Sequence, residues 1–252
     1  MCGIAGLISL DGRALPGPQT LDAMCRTIVH RGPDDQGTFH TDWAAIGMRR
    51  LSIIDVAGGH QPVTSAGGRI QLVFNGEIYN FTELHAELEQ QGRAPAWRGH
   101  SDTETLLAAF EAWGVEQTLK RARGMFALAL WDRQNRTLTL ARDRLGEKPL
   151  YYGWQMQGQQ PAFLFGSELK ALREHPSFAG EVDRSAVCLL LRHNCVPAPY
   201  SIYRGISKLM PGHYLTLTEA DLQAQRLPAS TPYWSLAEVA VAGVAAPWQG
   251  SD

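Results

Sequence analysis

Cys2 stands directly behind the initiator methionine, where removal of Met1 leaves one residue carrying both a thiol and a free α-amine. Such an amine has an ordinary pKa of about 7.7–8.0, close enough to neutrality to act as base for the thiol beside it, directly or through a water. Read without that chemistry, the same residue is a small side chain at the head of a buried strand. A second candidate is Asn75-Gly76, directly after the apolar run 70–74. An Asn-Gly pair there is the sequence of a tight turn. It is equally a side-chain amide next to a glycine N–H, two donors that can converge on an oxyanion. Glu77 adds a carboxylate at the rim of the same turn.

Charge recurs at two further places. Arg49 and Arg50 enter an apolar strand. Successive strand residues face opposite ways, so only one guanidinium can face a pocket and grip a carboxylate through two N–H groups; a solvated strand end is the alternative. Asp102 opens a helix, a placement that the helix dipole alone can explain.

The elements that must position these residues follow from spacing. Residues 1–10 read as a buried strand closed by an Asp11-Gly12 turn, and Leu21 to Val29 as a helix with Leu21, Met24, Cys25 and Ile28 on one face. A loop, His30 to Asp35, follows. Ala44 to Ile54 and Ile70 to Phe74 read as strands, and Phe81 to Gln90 as an amphipathic helix stopped by Gly92. Ser101 and Glu104 have capping-box spacing, with the helix ending at Gly114. Met125 to Trp131 and Thr137 to Ala141 form a hairpin pattern. Short strands at 150–154, 163–165 and 213–217 and helices at 168–173 and 183–192 complete the reading. Clustered strands with helices between the clusters predict an α+β fold of mainly antiparallel sheets.

Composition excludes several functions. A net charge of −2 with no basic run offers nucleic acid no footprint. No apolar stretch reaches the ~20 residues of a membrane helix, and the apolar start lacks a basic leader and a cleavage site. Four cysteines without a C-x-x-C pair predict a reducing, cytoplasmic setting. The eight histidines form no H-E-x-x-H and pair with no cysteine at zinc spacing, so no metal site is expected.

Taken together in order, Met1-Cys2-Gly3-Ile4-Ala5-Gly6, His30-Arg31-Gly32-Pro33-Asp34, Arg50-Leu51-Ser52-Ile53-Ile54-Asp55, Asn75-Gly76-Glu77-Ile78-Tyr79-Asn80, Ser101-Asp102, residues 141–152 and Ser167-Glu168-Leu169-Lys170 carry a specific resemblance. The chain resembles the glutamine-hydrolysing asparagine synthases, class II glutamine amidotransferases, from Met1 to about Trp234. The resemblance implies a four-layer αββα sandwich of two antiparallel sheets, the N-terminal-nucleophile hydrolase fold. It implies Cys2 as nucleophile, Asn75 and the Gly76 N–H as oxyanion hole, Arg50 on the glutamine α-carboxylate, and Glu77 and Asp102 on its α-ammonium. Arg31 and Asp34 then pack behind the nucleophile, and Arg142 and Asp143 belong to the scaffold.

The implied activity is hydrolysis of L-glutamine to glutamate and ammonia, the ammonia passing to an ATP-activated aspartate. Residues 1–236 are expected to form the glutaminase domain and 237–252 a linker toward a synthetase domain. No cofactor is expected here; ATP and Mg belong with that further domain, because the Ser-Gly-Gly-x-Asp-Ser loop of the family is missing and Ser65-Ala66-Gly67-Gly68 does not replace it. L-glutamine and the synthetase domain are the expected partners, with no nucleic acid or membrane, and a homodimer is compatible. Two alternatives stand: an amidotransferase serving another acceptor, and a non-catalytic scaffold domain. If Cys2 works through its own amine, intact-mass measurement of active protein finds Met1 removed; glutamine hydrolysis by a form retaining Met1 overturns that mechanism.

Overall fold

The computed structural model describes residues 1–8, 15–56, 58–157, 160–247 and 250, so the expected Asp11-Gly12 turn lies outside the described residues. The first strand, β1 (Gly3–Ile8), is followed by α1 (Pro18–Thr27), β2 (Asp35–His40), β3 (Ala44–Arg50), β4 (Val63–Thr64) and β5 (Ile70–Ile78). Next come α2 (Phe81–Gln90), α3 (Asp102–Arg121), β6 (Gly124–Asp132), β7 (Thr137–Arg142), β8 (Tyr151–Gln157) and β9 (Gln160–Gly166). The chain continues through α4 (Leu169–Arg173), α5 (Arg184–His193), β10 (Ile206–Lys208), β11 (His213–Leu217), α6 (Glu219–Gln223), β12 (Thr231–Pro232) and α7 (Leu236–Ala245).

Among the described residues the strands form two six-stranded sheets, ordered β10-β8-β9-β1-β3-β2 and β12-β11-β7-β6-β5-β4. Both are antiparallel throughout, as expected. Alternation divides each central strand between two layers. Ile4 and Ile8 of β1, Ile46 and Met48 of β3, Val73 of β5, Ala129 and Trp131 of β6, and Phe163 and Phe165 of β9 fill the space between the sheets. Their neighbours Ala5, Leu7, Ala45 and Leu164 turn outward onto Leu21 and Met24 of α1 and Ala171 and Leu172 of α4. On the other sheet Ile70, Leu72, Phe74, Phe126, Leu128 and Leu130 turn outward onto Leu84, Leu106 and Phe110 of α2 and α3. The result is the expected four-layer αββα sandwich.

Three elements differ from the sequence expectation. Strand β3 stops at Arg50 rather than Ile54, because the Arg50 guanidinium reaches forward and takes the carbonyls of Ile54, Asp55 and Val56, curling the chain. Strand β5 runs on through Ile78, so Asn75-Gly76 is not a turn but paired strand, opposite Ala127 and Phe126. Glycine is required there by contact: a Cβ at Gly76 would overlap the Met125 carbonyl and come within 2.7 Å of Phe126 Cα. At Gly114 the helix is interrupted, as expected, by a non-helical residue at φ 76°, and a second helical stretch continues beyond it to Arg121. Beyond Trp234, where no period was legible, α7 forms with Ser235 accepting from the Glu238 N–H and with no buried residue. The small strands β2, β4, β10 and β12 and helix α6 had no sequence expectation.

Gly6 sits where β1 crosses the Phe165 ring, and an added Cβ would also lie 2.8 Å from the Ala45 carbonyl. Gly6→Ala is therefore expected to lower the unfolding free energy by about 1–3 kcal/mol, measured by denaturant unfolding; an unchanged midpoint would contradict this packing.

Candidate active site

The inward positions of three strands become polar at the same end of the inter-sheet layer. Two residues past Ile4 lies Cys2, which packs against the inter-sheet cluster. Two past Met48 lies Arg50, and two past Val73 lies Asn75, with Glu77 beyond it. An open cavity of about 350 Å³ lies at this end, lined by Cys2, Arg50, Gly76, Glu77 and Asp102 together with the loop after β3. Of the six site residues expected from sequence, these five line it. Asn75 is 1 % exposed and sits beside Gly76 in the same strand.

Cys2 is held from two sides. Its Sγ accepts the Leu51 N–H at 3.4 Å, and its carbonyl accepts Arg31 Nε–H at 2.9 Å. Arg31 Nη1 donates to Glu168 at 3.0 Å, and Asp34 accepts the Ser52 N–H at 2.8 Å, so Arg31 and Asp34 brace the surroundings of Cys2. Burial pushes the Glu168 carboxyl up, but hydrogen bonds from Arg31, Lys170 and His30 outweigh it and hold it at about 2. Burial likewise raises the Cys2 thiol above its ordinary value, opposed by the Leu51 N–H, the positive amino terminus and Arg50.

The ladder of β5 fixes where two amide groups, those of Asn75 and Gly76, are placed. Phe126 exchanges both its backbone groups with Asp143, so neither faces β5. Opposite it, the backbone groups of Gly76 must therefore point to the far edge of β5. On that edge the Phe74 N–H is taken by Gln61 Oε1 at 2.7 Å and the Ile78 N–H by Asp102 Oδ2 at 2.9 Å. The Gly76 N–H lies between them, past the end of β4, and faces the cavity. The Asn75 side chain is buried with neither Nδ2 nor Oδ1 hydrogen-bonded among the described residues. A buried amide left unpaired costs about 1–3 kcal/mol, and buried polar groups are almost always satisfied.

Arg50 gives part of its guanidinium to the protein itself, since Nη2 donates to Ile54 and Asp55 at 2.8 Å and Nη1 to Val56 at 3.2 Å. Three of the five N–H groups of a guanidinium thus shape the loop, and the rest remain for the cavity. Arg49 faces the other way, as alternation requires, and ties β3 to Gly32, Pro33 and Gln36. Burial and the neighbouring Asp102 raise the Glu77 carboxyl; burial also raises Asp102, against the Ile78 N–H. Two carboxylates that suffer from burial and proximity gain from a cation placed between them.

Arg142 and Asp143 are scaffold. Arg142 donates to the carbonyls of Gly146, Lys148 and Leu209, and Asp143 accepts the N–H groups of Phe126, Leu145, Glu147 and Lys148. The sequence reading missed the Leu51 N–H, a backbone donor with no side-chain signature, and Gln61, whose side-chain Oε1 takes a strand N–H from outside any motif. It also missed the partner of Glu104, which holds the Arg98 and Gly99 N–H groups instead of closing a capping box. Among the described residues no group of His, Cys, Asp and Glu could hold a metal ion, and no helix is long and apolar enough to cross a membrane.

A four-layer αββα sandwich of two antiparallel sheets, with Cys2 at the open end of the layer between them, is the N-terminal-nucleophile hydrolase fold. The chain belongs to the glutamine amidotransferase family, whose glutamine amidotransferase domain matches residues 1–234. It is 35 % identical over 239 residues to asparagine synthetase [glutamine-hydrolyzing] 3 of Bacillus subtilis, covering 94 % of this chain and 37 % of that one. A putative asparagine synthetase [glutamine-hydrolyzing] of Mycobacterium tuberculosis is 38 % identical over 253 residues, covering 93 % and 37 %. Amidase chry2 of Gibberella zeae is 32 % identical over 248 residues, covering 94 % and 34 %. The chain thus spans little more than a third of the length of these curated relatives. The fold is shared with glutamine phosphoribosylpyrophosphate amidotransferase from B. subtilis, at a TM-score of 0.62 and 18 % identity, covering 92 % of this chain and 49 % of that one.

Because burial is the leading influence on Cys2, its thiolate is scarcer at neutral pH than that of a free thiol. In protein that retains Met1, alkylation of Cys2 by iodoacetamide, followed by peptide mass mapping, is expected to keep accelerating above the pH at which an ordinary thiol is already ionised. A plateau near pH 8.5 would contradict the raised value.

Proposed function

We propose that this chain is the glutamine-hydrolysing part of an asparagine synthetase, and that its cavity binds L-glutamine by both ends. The observation that supports this most directly is the meeting of one thiol, one guanidinium and two carboxylates in one cavity. A zwitterionic amino acid carries one negative and one positive group, and its side-chain amide is what remains for the thiol. In this reading Arg50 meets the α-carboxylate, Glu77 and Asp102 meet the α-ammonium, and Asn75 Nδ2 and the Gly76 N–H face the amide oxygen.

Chemistry then proceeds in two halves. The α-amine of mature Cys2 takes the thiol proton, and Sγ bonds to the side-chain carbonyl carbon. Negative charge collects on the oxygen between Asn75 and Gly76. The protonated amine returns its proton to the leaving nitrogen, the C–N bond breaks and ammonia departs, leaving a thioester. Water then gives a proton to the amine and attacks the same carbon, and the C–S bond breaks to release glutamate and restore the thiol. Delivery of ammonia to an activated aspartate is assigned to the portion of the relatives that lies outside the match.

A second reading, an amidotransferase for a different acceptor, draws on the similarity to amidase chry2. Asparagine formation from glutamine, aspartate and ATP by the whole polypeptide carrying this domain separates the two. For the glutaminase half, Cys2→Ala is expected to abolish glutamine hydrolysis. Loss of one oxyanion donor in Asn75→Ala is expected to lower kcat by about 10²–10³. Arg50→Lys, which keeps charge but loses the planar fork, is expected to act mainly on KM, whereas Arg49→Lys leaves KM unchanged and lowers stability. Steady-state ammonia release measures all four; full activity of Cys2→Ala would overturn the reading.

A further inference from the structure

Asp55 is the junction between the two halves of the cavity. Its backbone is left-handed, at φ 50°, and its carbonyl accepts Arg50 Nη2 and the Gly59 N–H, both at 2.8 Å. Its side chain, only 8 % exposed, turns the other way: Oδ1 accepts the Gly58 N–H at 2.9 Å and Oδ2 the His100 N–H at 3.2 Å. His100 leads directly into Ser101, the cap of α3, and Asp102, the first residue of that helix. One residue thus joins the loop wrapped around Arg50 to the start of the helix that carries Asp102. The fit leaves no slack. A Cβ at Gly58 would lie 2.7 Å from Asp55 Oδ2, and one at Gly99 would overlap the same oxygen.

Building on the glutamine-binding reading above, we propose that Asp55 is a positioning residue for substrate recognition, fixing the distance between Arg50 and Asp102 so that one amino acid spans both. It touches neither the thiol nor the oxyanion donors, so it acts on binding and not on the chemical step. A carboxylate accepting two backbone N–H groups from separate segments is the right tool, since charge-assisted bonds are about twice as strong as neutral ones and a short side chain transmits little play.

Asp55→Asn tests this directly. Asparagine tolerates the left-handed backbone, but its NH₂ must face one of the two N–H groups and open that link. The KM for glutamine is expected to rise about tenfold or more, with kcat held within about threefold. Alkylation of Cys2 by iodoacetamide, which needs no amino-acid recognition, should stay within about twofold of wild type. An unchanged KM overturns the proposal. So does a parallel fall in kcat and in alkylation, which would mark a general loss of structure. Wild-type protein that hydrolyses no glutamine refutes the functional reading itself, before any variant is compared. If Asp55→Asn fails to fold, Gly99→Ala presses on the same oxygen from the helix side and is expected to give the same split between KM and kcat; an unchanged KM there is equally fatal.

Discussion

The active end of this molecule is set by where the apolar filling between its two sheets stops. Ile4, Met48 and Val73 close that filling on three strands, and the next inward positions are Cys2, Arg50 and Asn75. Side chains alternate with a period of two, so the phase that buries the three apolar residues also delivers the three polar ones to the same side. A slip of one residue in β3 would bury Arg49 among Ile46 and Met48's neighbours and send Arg50 outward. The register Gly3 to Arg49 between β1 and β3 excludes that slip.

Much of this phase was legible in the sequence. The alternation of β1, β3 and β6, the helix 81–90, the hairpin of β6 and β7, and the opposition of Arg49 and Arg50 all follow from residue type and spacing. What could not be read was backbone reach. Asn75-Gly76 carries the composition of a turn, yet β5 continues because β6 crosses so closely that only glycine fits under the Met125 carbonyl. The end of β3 was set too late because the apolar residues Leu51, Ile53 and Ile54 prolong the strand pattern, while the Arg50 guanidinium bonding forward to the carbonyls of Ile54, Asp55 and Val56 stops it. In each case a contact distant in sequence, or a side chain turning onto its own backbone, overrode a local preference.

Buried charges around the cavity serve as fasteners for main chain. Asp143 gathers one N–H group of β6 and three of the loop after β7, Arg142 gathers three carbonyls, and Arg31 holds the carbonyl of Cys2. Such groups are stable in a low dielectric only when nearly all their bonding capacity is met, and here the backbone meets it. Side chains facing the cavity share this duty: Arg50 holds three carbonyls, Asp102 the Ile78 N–H and Gln61 the Phe74 N–H. The same fold recurs at 18 % identity in a phosphoribosylpyrophosphate amidotransferase.

Asn75 shows a consequence for the stability of the resting protein. Among the described residues its buried amide has no hydrogen-bond partner, and such a group weakens a folded chain. An apolar residue of similar volume at this position would therefore make the chain harder to unfold, so the most buried polar side chain beside the cavity is held at a cost to the fold around it.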